Sequence, residues 1–172
     1  MKRNRQKGVG LVEILVAVVI VSIGFLAAAT MQVQGMRFSQ GAYFRSQAYF
    51  MASSMIDRMR NNTRAVTDGL YDGRATGSNL VNRNCDANDC SSAEMVDHDL
   101  YEWSSSLHNL RGVSNFIPAL PSSPGIPAQG SIQLIQQNEY RVTLVWAENV
   151  NGNAEQQSLV VNFATEEINN GN

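Results

Sequence analysis

Lysine is almost absent from this sequence. Its two lysines, Lys2 and Lys7, lie in the first eight residues beside Arg3 and Arg5, with no acidic residue among them. Beyond this stub, nine arginines face 15 acidic residues, a difference of −6, although the whole chain carries a net charge of −2. Scattered and outnumbered cations disfavour a nucleic-acid-binding surface on the body. A basic stub ahead of an acidic body is instead typical of a targeting signal.

The short motifs of common enzymes are also absent. The sequence has no glycine-rich phosphate loop, no His-x-x-x-His pair and no Gly-x-Ser-x-Gly elbow. The best group of potential ligands is Asp97, His98 and Asp99 with His108, but neighbouring residues of a helix point in different directions. A solvated acidic helix face is the better interpretation of this group. We therefore predict no enzyme activity, no catalytic residue, no cofactor and no metal site.

A long apolar run stands near the N-terminus. Residues 9–31 contain no charged side chain other than Glu13, and at 1.5 Å per residue they would form a helix of about 34 Å. This length spans a hydrocarbon core of about 30 Å, and the basic stub would keep the N-terminus in the cytoplasm. The alternative is a secretory signal that is cleaved after Ala27-Ala28-Ala29. The helical pattern continues past Thr30, which argues against that alternative.

A carboxylate inside this apolar run needs an explanation. Glu13 would cost about 2.5–3.5 kcal/mol at mid-bilayer, and less near the edge of the membrane. Chance placement near a helix end is one interpretation. The other is that the charge gains a partner after membrane exit or during assembly, where apolar surroundings strengthen the pairing.

The N-terminal pattern resembles the type IV prepilin signal, which pilins and type II secretion pseudopilins share. The matching residues are Gly8, Val9 and Glu13, after a short basic leader and at the start of the apolar run. The resemblance implies that a prepilin peptidase removes residues 1–8 and methylates the new N-terminal amine of Val9. It also implies that Glu13, the fifth residue of the mature chain, neutralises that amine on a neighbouring subunit. Val9 departs from the phenylalanine that usually begins the mature chain.

The helix is predicted to continue far beyond the apolar run. Apolar residues at +4, +3, +4 spacing form a row from Ala48 to Met59, and Asn61-Asn62-Thr63 reads as a helix end. We predict one helix over about residues 9–60. Residues 9–31 would be its transmembrane or filament-core half. Residues 32–172 would be a periplasmic or extracellular globular domain that includes the amphipathic half of the helix.

The segment after this helix is predicted to be mostly loop, because residues 61–95 are rich in glycine, asparagine and aspartate. Cys85 and Cys90 lie at close spacing beyond a membrane segment, which predicts a disulfide formed in an oxidising compartment. Two reduced structural cysteines are the alternative. A disulfide loop this short contributes only about 2 kcal/mol, enough to pin a surface turn. Calcium coordination by Asp86, Asn88 and Asp89 of this loop stays open as an alternative, although their spacing does not match that of a regular calcium-binding loop.

The rest of the chain predicts one helix and a small sheet. The helix covers Ser92–Leu110 with Ser92 as its cap, and four prolines between residues 118 and 127 then make a linker. Three strand patterns and a tight turn follow: Ser131–Gln137, Tyr140–Trp146 and Leu159–Phe163, with the turn at Asn151-Gly152. The predicted fold class is α+β, the type IV pilin fold, with the long helix packed on an antiparallel sheet of three or four strands.

The body of the chain resembles the PilV-type minor pilins. The shared features are short: a Ser22-Ile23-Gly24 break in the anchor, the cysteine pair, Asp99-x-x-x-Trp103, a Pro/Gly loop and Tyr140-x-Val-x-x-x-Trp146. In that family these residues look structural. The mid-helix proline that is common in major pilins is absent from this chain. Both observations favour a minor pilin over a major one.

The resemblance implies a minor pilin of a type IV pilus, involved in assembly initiation, adhesion and twitching motility. Its implied partners are other minor pilins and the major pilin, reached through N-terminal helices, together with the prepilin peptidase and the inner membrane. The protein would cross the bacterial inner membrane once before assembly and lie in the pilus, the periplasm or at the cell surface afterwards. A type II secretion pseudopilin is the first alternative. A bitopic periplasmic enzyme or receptor is the second.

Overall fold

A computed structural model describes residues 10–137, 139–150 and 152–164 of the chain. The contacts divide the chain into two compact units, Met1–Ala42 and Tyr43–Asn172. Helix α1, Leu11–Asn61, is the first element and has residues in both units. Gly8 and Val9, the predicted cleavage position, lie outside the described residues.

In the first unit, α1 begins directly after Gly10. The Gly10 carbonyl accepts hydrogen bonds from the backbone amides of Glu13, at 2.9 Å, and Ile14, at 3.4 Å. Every residue from Gly10 to Gln40 is solvent-exposed. The helix is long and apolar enough to cross a membrane. The predicted long N-terminal helix is confirmed over the residues that the structure describes.

In the second unit, the amphipathic half of α1 turns one face to the core. Six residues of this face are buried, and they include every member of the predicted row: Ala48, Met51, Ala52, Met55, Ile56 and Met59. Methionine side chains are flexible enough to fill irregular gaps in such a core. Helix α1 ends at Asn61, as predicted, and α2, Thr63–Thr67, and α3, Ser92–Ser104, follow.

The sheet has three antiparallel strands in the order β1-β2-β3. They are β1, Gln129–Gln136, β2, Glu139–Val150, and β3, Asn153–Ala164. Alternate residues of β2 are buried from Tyr140 to Trp146, because successive side chains of a strand point to opposite faces. These side chains share one core with the buried face of α1. The predicted α+β, type IV pilin-like fold is confirmed.

Helix α3 is fixed to α1 and to β1 by one tryptophan. Trp103 is 3% exposed, and its Nε1 donates a hydrogen bond to the Met51 carbonyl at 3.1 Å. The ring lies on Gly130 so closely that a Cβ at this position would come within 2.6 Å of Trp103 Cζ2. The close approach of ring and backbone therefore requires glycine at this position of β1.

The ends of α3 differ from the sequence prediction. The helix ends at Ser104 instead of Leu110, and its cap is Ser91 instead of Ser92. The Ser91 hydroxyl accepts a hydrogen bond from the Glu94 amide, while the Glu94 carboxylate accepts one from the Ser91 amide. This reciprocal capping box satisfies two backbone donors at once, which is why the helix begins one residue later than Ser91. The short helix α2 also interrupts the segment that was expected to be mostly loop.

The connection between β2 and β3 contains the residues of the predicted tight turn. Asn151 lies outside the described residues, so the turn stays a prediction at that position. Gly152 has a φ of +90°, and its amide donates to Asn149 Oδ1 at 3.0 Å. Glycine adopts this φ at no steric cost, since it has no Cβ.

Candidate functional site in helix α1

The exposed surface of α1 is apolar almost throughout residues 11–31. Phe25, for example, is 73% exposed. The two hydroxyl groups of residues 11–31 are bonded within the helix, since Ser22 Oγ donates to the Val18 carbonyl at 2.7 Å and Thr30 Oγ1 donates to the Ala27 carbonyl at 2.8 Å. An apolar surface of this extent is typical of contact with lipid or with other apolar helices.

Glu13 is the one ionisable residue between Lys7 and Arg37. It lies in the first turn of α1, where the positive end of the helix dipole favours a negative charge. Within residues 10–137, 139–150 and 152–164, its carboxylate forms no ion pair. The structure thus places a carboxylate at the start of an exposed apolar helix.

The N-terminal segment matches a known family model. Residues 3–29 match the prokaryotic N-terminal methylation motif, and this range includes Gly8, Val9 and Glu13. No curated protein and no solved structure matches the chain. The motif, with the fold described above, indicates a type IV pilin-like protein of a pilus or a pseudopilus.

Three properties follow from this class. The motif implies processing by a prepilin peptidase and assembly with other pilins. It suggests a structural protein instead of an enzyme. The apolar N-terminal helix suits anchoring in a membrane before assembly.

A buried polar network lies in the second unit, between α1, α3 and the segment that joins them. Tyr71 Oη donates to Asp99 Oδ2 at 2.6 Å, and Arg58 Nη1 donates to Asp99 Oδ1 at 3.3 Å. Asn62 Nδ2 donates to Tyr71 Oη at 3.3 Å and to the Ser92 carbonyl at 2.9 Å. Burial raises the pKa of Tyr71 far above its usual value, and the hydrogen bond to Asp99 raises it further. The phenol therefore stays protonated and keeps donating to the carboxylate.

The acidic part of α3 meets a loop that we call the cysteine loop, residues 82–90. Asp97 Oδ2 accepts from Arg83 Nη2 at 3.0 Å. His98 is only 4% exposed, with its Nδ1 3.4 Å from Asn82 Oδ1 and its Nε2 3.7 Å from Asp86 Oδ1. The expected solvated acidic face is therefore wrong for His98 and Asp99, which are buried against the cysteine loop and Tyr71, while the Asp97 side chain stays 33% exposed.

The cysteine loop is closed by a disulfide between Cys85 and Cys90. Cys85 Sγ lies 3.8 Å from the Glu94 carbonyl oxygen, so the disulfide rests on the first turns of α3. The Ser91 amide and hydroxyl, both bonded to the Glu94 carboxylate, lower the pKa of that carboxyl. The cysteine loop is thus tied to α3 at its disulfide, at Asp97 and at His98.

The remaining candidate ligands lie apart from one another. His108 lies beyond the end of α3, and its Nε2 is buried with no hydrogen-bond partner among the described residues. In the part of the chain that the structure describes, no three residues of the types His, Cys, Asp and Glu are grouped to hold a metal ion. Asn88 and Asp89 of the cysteine loop are exposed.

Sequence analysis missed the centre of the buried network. Tyr71 lies in the segment that was predicted to be mostly loop, and Arg58 is a polar residue between Met55 and Met59 of the predicted apolar row. Tyr71 is nevertheless fully buried, and the Arg58 side chain is 35% exposed. No periodic pattern in the sequence predicts these contacts. Tyr71 is 28 positions from Asp99 in the sequence, and Arg58 is 41 positions from Asp99.

Proposed function

We propose that this protein is a minor pilin of a type IV pilus. In this proposal it is made as a membrane-anchored precursor, cut between Gly8 and Val9, methylated on the amine of Val9 and assembled through α1. The observation that carries the proposal is the exposed apolar start of α1 with Glu13 as its one charge, inside the segment that matches the methylation motif.

The arrangement supports a two-stage mechanism. Before assembly, α1 crosses the inner membrane with the basic residues on the cytoplasmic side, and Glu13 lies near the edge of the bilayer, where its cost is lowest. On extraction, the apolar surface of α1 moves from lipid to the helices of other pilins. The Glu13 carboxylate then pairs with the cationic amine of a neighbouring Val9, in apolar surroundings that strengthen the attraction.

The choice of a pilus subunit rests on the resemblance of the second unit to PilV-type proteins. Asp99, which opens the Asp-x-x-x-Trp feature, anchors the buried network, and Trp103 anchors α3 to α1 and β1. Tyr140 and Trp146 of the strand feature are fully buried in β2. The hydrogen bonds of Asp99 and Trp103 and the burial of Tyr140 and Trp146 support the structural roles that the resemblance implies.

Processing is tested by the intact mass and N-terminal sequence of the protein from membranes, with and without the prepilin peptidase. We expect a mature chain that begins at methylated Val9 only when the peptidase is present. Gly8→Val should block the cut, whereas the same substitution at Gly24, where a Cβ meets no neighbour within 4 Å, should leave it unchanged. An unprocessed Met1, or a cut after Ala29, would overturn the proposal.

The machine that the protein serves is tested by deleting its gene. A minor pilin should be required for surface pili and twitching motility, while the export of secreted enzymes continues. Loss of export with normal twitching would instead identify a type II secretion pseudopilin. If processing is normal and neither twitching nor export is affected, the protein is still pilin-like, but both the minor-pilin role and the pseudopilin role are contradicted.

A further inference from the structure

We propose that Arg37 anchors α1 in the periplasmic leaflet of the inner membrane, where its guanidinium binds lipid phosphate and fixes the depth of Glu13. This inference rests on the proposed function, from which it takes the membrane and the cytoplasmic N-terminus. Arg37 and Glu13 belong to the first unit and to one unbroken helix. The family model matches residues 3–29 and so does not include Arg37.

The spacing of the two charges along α1 matches the thickness of a lipid bilayer. Residues 14–36 contain no charged side chain. At 1.5 Å per residue, Glu13 and Arg37 are about 36 Å apart along the helix. The hydrocarbon core is about 30 Å thick, and the bilayer with its headgroups is about 40–45 Å thick. With Glu13 at the cytoplasmic edge of the hydrocarbon, Arg37 therefore lies about 6 Å beyond the opposite edge, among the headgroups.

Arg37 has no competing anion in the part of the chain that the structure describes. It is solvent-exposed and takes part in no ion pair there. The sequence has no acidic residue between Glu13 and Asp57, so no carboxylate of α1 lies three or four residues from Arg37, the spacing at which helical side chains meet. The phosphate groups of the periplasmic leaflet supply the missing anion.

Arginine suits this position because of its shape and its permanent charge. Its planar guanidinium can donate two parallel hydrogen bonds to one phosphate. Its apolar stem can follow the helix surface while the charged end stays among the headgroups. Movement of α1 toward the cytoplasm would draw Arg37 into the hydrocarbon, and movement toward the periplasm would draw Glu13 into it. The two charges together therefore hold α1 at one depth.

The depth of α1 in a membrane tests the proposal. Phe38, which is 77% exposed, is replaced by tryptophan as a fluorescent probe beside Arg37. The full chain is placed in vesicles of phosphatidylethanolamine and phosphatidylglycerol that carry bromine quenchers at known acyl-chain depths. Arg37→Leu should move the probe about 5 Å toward the bilayer centre, roughly the thickness of one headgroup layer, and Arg37→Lys should leave its depth unchanged. Arg45→Leu, at another exposed arginine of α1, is the matched control.

Relocation of the arginine distinguishes an anchor from a general effect of losing the charge. Gln34→Arg combined with Arg37→Leu moves the charge three residues nearer to Glu13, at a position that is also exposed. The probe should then move about 4.5 Å toward the aqueous phase, the opposite direction to Arg37→Leu alone. The chain without the probe, with its buried Trp103 and Trp146, supplies the background fluorescence. Unchanged probe depth in both variants would overturn the proposal.

Solid-state nuclear magnetic resonance tests whether phosphate is the partner. Arginine side chains are labelled with nitrogen-15 in a chain that carries Arg3→Lys and Arg5→Lys, so that the basic stub contributes no signal. Dipolar coupling to lipid phosphorus should weaken a guanidinium signal. This effect should be lost in Arg37→Leu and kept in Arg45→Leu. Absence of the coupling before Arg37 is replaced, or its full persistence afterwards, would overturn the proposal.

These tests separate the anchor from the proposed function, because the vesicles contain no prepilin peptidase and no other pilin. A negative result would overturn the anchor and leave the proposed function in place. A chain that is not cut after Gly8 would overturn the proposed function and leave the anchor in place. Poor incorporation of Arg37→Leu into filaments with unchanged probe depth would also overturn the anchor, since Arg37 would then contact another subunit instead of lipid.

Discussion

At the scale of single residues, the stability of the second unit depends on a few buried polar groups and on one glycine. Asp99 is 4% exposed, and its carboxylate accepts from Tyr71 and Arg58. A buried carboxylate needs such donors, because without them the free energy lost by removing its charge from water is not compensated. The network therefore stabilises the junction of α1, α2 and α3 by avoiding an unpaired charge.

Tyr71→Phe should lower the free energy of unfolding by about 1–3 kcal/mol near neutral pH, because Asp99 loses a donor. It should also change the response to alkali. The pKa of Tyr71 is raised in the folded protein, so above pH 10.0 the unfolded chain loses this proton while the folded chain keeps it. Stability then falls by about 1.4 kcal/mol per pH unit for each such tyrosine.

Urea denaturation between neutral pH and pH 11 measures this effect, with Tyr49→Phe as the control at an exposed tyrosine. Tyr71→Phe should have a shallower alkaline decline than the parent chain. Part of the decline should remain, because burial also raises the pKa of Tyr140. Identical alkaline slopes in Tyr71→Phe and the parent chain would show that Tyr71 titrates alike in both states.

Gly130→Ala should destabilise the second unit by about 1–3 kcal/mol, the usual cost of overpacking a core. The added Cβ would lie 2.6 Å from Trp103 Cζ2 and 2.9 Å from Trp103 Cζ3, so the indole must move and strain its bond to Met51. Thermal unfolding followed by tryptophan fluorescence measures the loss. Gly77→Ala is the control, since a Cβ there meets no atom within 4 Å. Equal stability of the two variants would contradict the predicted clash.

At the scale of elements, the cysteine loop packs on α3 and is bonded to it. Reduction of the Cys85–Cys90 disulfide, or replacement of both cysteines by serine, should lower the free energy of unfolding by only about 2 kcal/mol, because the closed loop is short. The sheet and α1 should keep their structure. Denaturation with and without reductant, repeated on the double-serine variant, measures the effect. Unfolding of the whole second unit on reduction would contradict it.

At the scale of the whole molecule, the two units differ in how their apolar residues are covered. The first unit exposes an apolar helix that needs lipid or other subunits, while the second unit has its own core. In the proposed function, Glu13 is the residue by which the first unit recognises a neighbouring subunit through its charge. A charge-assisted bond of about 1.5–3 kcal/mol corresponds to a tenfold effect or more on association.

Glu13→Gln should therefore reduce incorporation into filaments about tenfold or more, because the amide cannot neutralise a neighbouring amine. Membrane insertion and cleavage should be normal. Immunoblots of sheared filaments and of membranes measure the ratio of assembled to unassembled protein. Glu155→Gln, the same substitution on exposed β3, is the control and should assemble normally. Normal incorporation of Glu13→Gln would remove the assigned role of this carboxylate.

The sequence by itself determined the long helix with its apolar N-terminal run and the three strands, because these depend on residues that are neighbours in the chain. The apolar run with Glu13, the buried row from Ala48 to Met59 and the alternation in β2 all follow from local periods of 3.6 or 2 residues. The same local pattern predicted the helix end at Asn61. Composition alone placed the basic stub ahead of an acidic body.

Only the tertiary structure decided which side chains meet. Tyr71 joins Asp99, Asp86 of the cysteine loop approaches His98, and Gly130 admits the ring of Trp103. Each of these contacts joins residues that are far apart in the sequence. The helical and strand periodicities describe only neighbouring residues, so they do not predict such contacts. The physical reason is that a helix or strand fixes only the direction of its own side chains. The partner that each side chain finds is set by how the whole second unit closes around its core.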